Sequence, residues 1–105
     1  MVQSLGYAMC EETLLDDLGR PLNAQFGPYW IFRSDDTPET EVFLVQTMEA
    51  SGPFGAKSIA EIVIDAVAPA VRNALLDATG VTIEQIPFTP ERVWRALRAH
   101  ASALT

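Results

Sequence analysis

A lysine, a serine and a glutamate follow a glycine-containing turn near the middle of the chain, as Lys57, Ser58 and Glu61. A carboxylate with apolar neighbours can act as a general base, because desolvation raises its pKa toward the working pH. Ile59 and residues 62–64 provide apolar neighbours for Glu61. The same spacing also fits a capping box, in which Ser58 begins a helix and the glutamate bonds back to it. Spacing alone favours the capping box over a general base.

Two further glycines shape this segment. Gly52 and Gly55 flank a Pro-Phe pair, and small residues let a backbone approach a bulky ligand closely.

For the other candidate residues in the sequence, structural roles are favoured over functional ones. Cys10 has no basic neighbour and is expected to be a small apolar residue, while His100 lies near the end of the last helix. The rest are interpreted as turn acids, surface arginines and aromatic residues that pack against another domain, with a substrate-channel lining as an alternative for the aromatics. These sets are Asp16-Asp17 and Asp35-Asp36; Arg92, Arg95 and Arg98; and Phe26, Tyr29, Trp30 and Phe32.

The charge balance excludes several classes of protein. The 105 residues carry 14 acids and 7 bases, a net charge of −7. Residues 1–50 hold nine acids and two bases, whereas residues 51–105 hold five of each. An acidic half repels phosphate and anionic lipid, so neither nucleic acid nor a membrane surface is an expected partner. A single cysteine and the absence of a visible signal peptide predict a cytoplasmic protein, and no metal site is predicted from these side chains.

The pattern of apolar residues and turn signals predicts the elements that must position these residues. It indicates an α+β fold with about three helices and a small antiparallel strand pair. The first helix begins at the N-terminus with Val2, Leu5 and Met9 on one face. The second covers residues 65–79 and ends at Gly80, and the third opens at Thr89-Pro90. The strands are residues 13–17 and 41–46, separated by an aromatic loop at residues 22–40.

Several motifs together resemble one family, in order along nearly the whole chain. They are VQSLGYA (residues 2–8), GRPLN (19–23), GPFGAKSIAE (52–61), VAPA (67–70), DATG (77–80) and PFTPERV (87–93). They look like the C-terminal part of the molybdopterin-binding large subunit of the xanthine dehydrogenase and aldehyde oxidoreductase family, where the usual patterns include VQG(I/L)GYAL and GP(Y/F)GAKGVGE. Ser58 and Ala60 stand where that pattern has glycine.

The resemblance implies a molybdenum hydroxylase, which oxidises an N-heterocycle or an aldehyde with oxygen taken from water. Glu61 would be its general base. The residues implied near the molybdopterin are Gln3, Gly55, Ala56, Lys57 and Ser58. For Gln3 a solvent-facing polar residue is an equal alternative, for Lys57 a structural salt bridge is favoured, and for Ser58 a helix cap is favoured.

The family subunit is several times longer than 105 residues, so residues 1–105 are expected to be a C-terminal fragment or split subunit of the molybdopterin-binding domain. The implied partners are the remainder of the molybdenum subunit and chains that carry iron–sulfur clusters and FAD. The isolated chain is expected to be inactive and to self-associate. The alternative is a non-catalytic truncated paralogue that acts as a self-associating structural or interaction module.

Overall fold

The structure is a computed structural model and describes residues 1–103. Helix α1 is Val2–Met9, α2 is the single turn Ile62–Asp65, α3 is Val67–Thr79 and α4 is Pro90–Ala103. A 3-10 turn at Pro53–Gly55 lies between α1 and α2. The three predicted helices are therefore confirmed, and α2 is an additional short turn placed directly before α3.

Small residues form the inner face of α1. Ser4, Gly6 and Ala8 are buried, and α1 packs against both α2 and α3. Small side chains let the two backbones approach closely, which is why this face turns inward. The predicted apolar face, Val2, Leu5 and Met9, is only partly covered, and Met9 is exposed. In α1, size therefore decides which face is buried, and larger apolar side chains remain available to another surface.

The end of α3 and the start of α4 lie at the predicted capping residues. Gly80 ends α3 in the left-handed conformation, at φ +71°, and its N–H donates to Leu76 O over 2.7 Å. Thr89 Oγ1 accepts a hydrogen bond from the N–H of Arg92 over 3.3 Å at the start of α4. Pro90 occupies the first helical position, where a missing N–H costs nothing.

A small core joins α1 to the segment before α4. Its buried apolar residues are Ala8, Val81 and Phe88. The N–H of Phe88 donates to Ala8 O over 2.7 Å, so this segment is fixed to α1 by backbone as well as by side-chain packing. Asn23 is buried nearby and bridges Leu14 N and Glu12 O through its side-chain amide.

The predicted antiparallel strand pair is wrong for the part of the chain that the structure describes. Residues 13–17 form only an isolated antiparallel bridge, Leu15 to Pro21, across their own turn. Residues 41–46 are not a strand, and residues 41–47 make no backbone hydrogen bond to another described residue. A strand needs a neighbour to complete its ladder, and none lies beside this segment. The described residues are therefore helical, with long extended connections.

The described chain is open. Its radius of gyration is 18.3 Å, whereas a compact domain of this size has a value of about 13 Å. Many large apolar side chains are exposed, among them Leu44 and Val45, each with 85% of its surface accessible. Within residues 1–103, no helix has the length and apolar character needed to cross a membrane.

Candidate functional site

A tight loop precedes the candidate residues. The N–H of Gly55 donates to Gly52 O over 3.1 Å, and the N–H of Ala56 donates to Pro53 O over 3.0 Å. Phe54 and Gly55 both have positive φ, +56° and +74°. Positive φ is unusual for a bulky residue such as Phe54, and strained backbone of this kind concentrates at functional sites. A Cβ at Gly52 would lie 2.2 Å from Ala56 O, so this turn requires glycine there.

The hydrogen-bond donors that remain unused in this loop belong to Lys57 and Ser58, not to the residues before them. The amides of Gly55 and Ala56 donate inside the loop. The amides and side chains of Lys57 and Ser58 have no hydrogen-bond partner among the described residues, and both residues are exposed. Residues 55–58 line a groove of about 720 Å³ with the extended segment 42–48 and with Ile62. The groove thus combines apolar walls with unused donors.

Glu61 lies directly before α2 and is exposed. The expected capping box does not form, because α2 begins at Ile62 and Glu61 itself occupies the N-cap position. A capping box requires Ser58 at that position and the glutamate three residues inside the helix. No side-chain cap bond is made at this helix start, so the capping-box prediction for Ser58 and Glu61 is wrong. Ile59 and Ile62, two of the apolar neighbours expected to surround Glu61, are also exposed.

Gln3 lies on α1 and reaches a different recess from residues 55–58. It lines a cleft of about 250 Å³ with Tyr7, Glu11 and Ile64. Ile64 belongs to α2, the turn that begins after Glu61, so the structure brings Gln3 to the Glu61 turn. The loop residues 55–58 line the separate groove.

Two acids next to α1 have partners that the sequence did not reveal. Glu11 accepts a hydrogen bond from Tyr29 Oη over 3.0 Å, and this bond, with desolvation and the nearby charge, raises the pKa of Tyr29. Glu12 pairs with Arg92 of α4, which also donates to Pro87 O over 3.0 Å. Arg92 was expected on a solvated face. The sequence shows two adjacent acids, Glu11 and Glu12, but nothing in their spacing identifies partners that lie 18 and 80 positions away.

The remaining candidates have structural positions. Cys10 is half-buried, and burial followed by the charges of Glu11 and Asp36 raises the pKa of its thiol. His100 is exposed in the last turn of α4. Asp16 accepts from the N–H groups of Leu18 and Arg20, as a turn acid does. Among residues 1–103, no group of three or more His, Cys, Asp or Glu side chains could hold a metal ion.

The chain is similar to known molybdenum enzymes. It is 37% identical over 97 residues to "Probable hypoxanthine oxidase XdhD" of Escherichia coli strain K12, an alignment that covers 91% of this chain and 10% of that protein. It is 36% identical over 95 residues to "Putative xanthine dehydrogenase molybdenum-binding subunit XdhA" of the same organism, which covers 90% of this chain and 13% of that protein. Aldehyde oxidoreductase molybdenum-binding subunits are also among its relatives. No protein-family model matches the sequence.

The fold leads to the same class. The structure matches quinoline 2-oxidoreductase of Pseudomonas putida 86 with a TM-score of 0.82 and 29% identity, over 92% of this chain and 13% of that one. The resemblance found in the sequence is thereby confirmed. The chain is related over about nine-tenths of its length to molybdenum-binding subunits of xanthine dehydrogenases and aldehyde oxidoreductases. It spans only about a tenth of the length of the curated relatives it matches.

Proposed function

We propose that this chain is the C-terminal part of the molybdenum subunit of a hydroxylase and that it supplies the general base, Glu61. The similarity to molybdenum-binding subunits over nine-tenths of the chain is the observation that carries this proposal. Because the chain spans about a tenth of such a subunit, the remainder of the subunit would provide most of the cofactor site. Iron–sulfur and FAD partner chains would carry the electrons away, as the family resemblance implies.

The proposed substrates are N-heterocycles or aldehydes. The names of the relatives and of the matched structure include a hypoxanthine oxidase, a quinoline oxidoreductase and an aldehyde oxidoreductase. Hypoxanthine and quinoline are both N-heterocycles with an electron-poor carbon, and an aldehyde also has an electrophilic carbon. Hydroxylation of such a carbon by water releases two electrons and two protons, so the reaction needs a proton acceptor close to the attacking oxygen.

The donors of residues 57–58 fit an anionic cofactor. Lys57 is a cation, and its backbone amide and that of Ser58 make no hydrogen bond within the described chain. Together with the Ser58 hydroxyl they form a donor set that suits phosphate and pterin oxygens. The residues proposed to hold the molybdopterin are Gln3, Gly55, Ala56, Lys57 and Ser58. Gln3 would contribute its side-chain amide from the α1 cleft. Gly55 would permit the backbone to approach the cofactor closely.

Glu61 is suited to accept the proton. Its carboxylate makes no cap bond and is exposed in this chain, so both oxygens are available to a reactant. When bound, the molybdenum cofactor would supply the redox chemistry by accepting the two electrons that leave the substrate carbon. Glu61 would take the proton from the water-derived oxygen as that oxygen attacks. Burial by the rest of the subunit would desolvate the carboxylate and favour proton uptake.

The test is substitution of Glu61 in the assembled enzyme. Glu61→Gln keeps the size and polarity of the side chain but cannot accept a proton, so kcat is expected to fall by about 10²–10⁴-fold, the usual contribution of a general base. The molybdenum content, measured by elemental analysis, should not change. Glu91→Gln is the matched control, because Glu91 is an exposed glutamate in the first turn of α4. Full activity of Glu61→Gln would contradict the proposed role, and a complex that never contains molybdenum would contradict the assignment to a hydroxylase.

A further inference from the structure

We infer that the buried hydroxyl of Ser4 positions the turn that carries Glu61; this inference rests on the function proposed for that glutamate. The side chain of Ser4 is fully buried, with 0% of its surface accessible. Its Oγ donates a hydrogen bond to the carbonyl oxygen of Ile64 over 2.7 Å. The two residues are 60 positions apart in the chain, so the bond joins α1 directly to α2.

The α2 turn depends on such an anchor. It contains four residues, and a single helical turn is not stable by itself because nucleation costs more entropy than one hydrogen bond returns. Its N-cap has no side-chain bond, and Ile62, Val63 and Asp65 are exposed. Its direct connection to α3 through Ala66 and its contacts with α1 and α3 must therefore hold it in place. Ser4 provides the side-chain hydrogen bond to α2 that the structure describes.

Ile64 connects the anchor to the proposed base. Its N–H donates to the carbonyl oxygen of Glu61 over 2.8 Å, and its own carbonyl oxygen accepts the bond from Ser4. Two hydrogen bonds through one residue thus run from α1 to Glu61. Ile64 is also the α2 residue that lines the cleft with Gln3, the neighbour of Ser4 in the sequence. The Ser4 hydroxyl is therefore a direct hydrogen-bonded link between α1 and the turn that follows Glu61, in addition to the packing of α2 against α1 and α3.

The direction of the Ser4 bond supports a positioning role. Ser4 uses its hydroxyl across the interface, while α1 is held from its other end by the bond between Phe88 N and Ala8 O. Helix α1 is thus fixed to the small core, and Ser4 transmits that fixed position to α2.

The experiment compares Ser4→Ala with Thr79→Val in the assembled enzyme. Thr79 Oγ1 donates to Leu75 O over 2.6 Å and accepts from the N–H of Val81 over 3.2 Å at the end of α3, so the control removes a hydroxyl-to-carbonyl bond and one further bond, both away from α2. Ser4→Cys is a second variant, because its side chain has the same shape, is slightly larger and offers only a weak donor. We expect amide hydrogen exchange in residues 64–66 to accelerate by about tenfold in both Ser4 variants, in line with the loss of one buried hydrogen bond. Exchange there should stay unchanged in Thr79→Val.

Kinetics separate positioning from simple destabilisation. In the Ser4 variants kcat should fall by about tenfold, while KM and the molybdenum content stay within twofold of wild type. The double variant Ser4→Ala/Glu61→Gln should be no slower than Glu61→Gln, because the base that Ser4 positions is already absent. Unchanged exchange in residues 64–66, an unchanged kcat, or an equal loss of kcat in Thr79→Val would overturn the inference. Failure of the proposed function would appear separately, as an active Glu61→Gln enzyme.

Discussion

The ion pair between Arg92 and Glu12 should be a main attachment of α4. The pair joins α4 to the segment that follows α1, and Arg92 also donates to Pro87 O over 3.0 Å. The Arg92 and Glu12 side chains are 24% and 34% exposed, so solvent screens this pair less than it screens a fully exposed one. Arg92→Met keeps the apolar stem of the side chain and removes the charge and both bonds.

The free energy of unfolding that Arg92→Met should remove follows from the partial burial of the ion pair. A half-buried charged pair with a second hydrogen bond is worth about 1–2 kcal/mol, more than an exposed pair and less than a fully buried one. Loss of this amount raises the open population by a factor of about 5–30. Amide hydrogen exchange in α4, measured by mass spectrometry, should therefore accelerate by that factor in Arg92→Met.

A control on the same helix isolates the effect of burial. Arg95 and Glu91 also form an ion pair, but their side chains are 70% and 69% exposed. Such a pair is worth about 0.3–0.5 kcal/mol, so Arg95→Met should change exchange in α4 by little more than twofold. Glu12→Gln and the double variant complete the cycle, in which we expect a coupling energy of about 1 kcal/mol. Equal effects of the two arginine substitutions, or strict additivity with Glu12→Gln, would refute the reasoning.

Three further predictions concern the loop, the first turn and the extended segment. Gly55→Ala should reduce the molybdenum content of the assembled enzyme, because Gly55 has φ +74° and an added Cβ would collide with the side chain of Met48. The control is Gly19→Ala, at φ +77° with open space around it, which should strain its turn without changing the molybdenum content. Hydrogen bonds from Arg20 lower the pKa of Asp16 below its ordinary value of 3.8, so its contribution to stability is present above that value and is lost as the pH falls through the lower folded pKa. An NMR titration of the Asp16 carboxyl should show a midpoint below 3.8, and a midpoint at or above it would exclude these bonds in solution. The amides of residues 42–47 should exchange freely in the isolated chain and become protected in the assembled subunit, whereas equal exchange in both states would show that no strand pairs with them.

Local signals in the sequence were sufficient for the helices. The end of α3 depends on Gly80, and the start of α4 depends on Thr89 and Pro90, and each acts within a few residues of itself. Motif order was also sufficient for the class of protein, since the matched pieces extend along nearly the whole chain. These features could be predicted because a cap or a motif is contained in a short stretch of residues.

Features that depend on distant partners could not be predicted. Residues 41–46 have β-branched and aromatic side chains, but a strand exists only where a second strand completes its hydrogen bonds. The predicted capping box at Ser58 does not form because the N-cap of α2 is Glu61, three residues later than the motif suggested. The bonds of Ser4 and Arg92 extend over 60 and 80 positions, and no local pattern specifies them.

The most direct test of the central claim is the rate at which substrate reduces the molybdenum centre in a single turnover without an electron acceptor. Rapid mixing of the assembled enzyme with an N-heterocyclic or aldehyde substrate isolates the step that needs a proton acceptor from later electron transfer. At equal molybdenum content, Glu61→Gln should reduce at least about 100-fold more slowly than wild type. Equal reduction rates in the two enzymes would contradict the assignment of Glu61 as the general base.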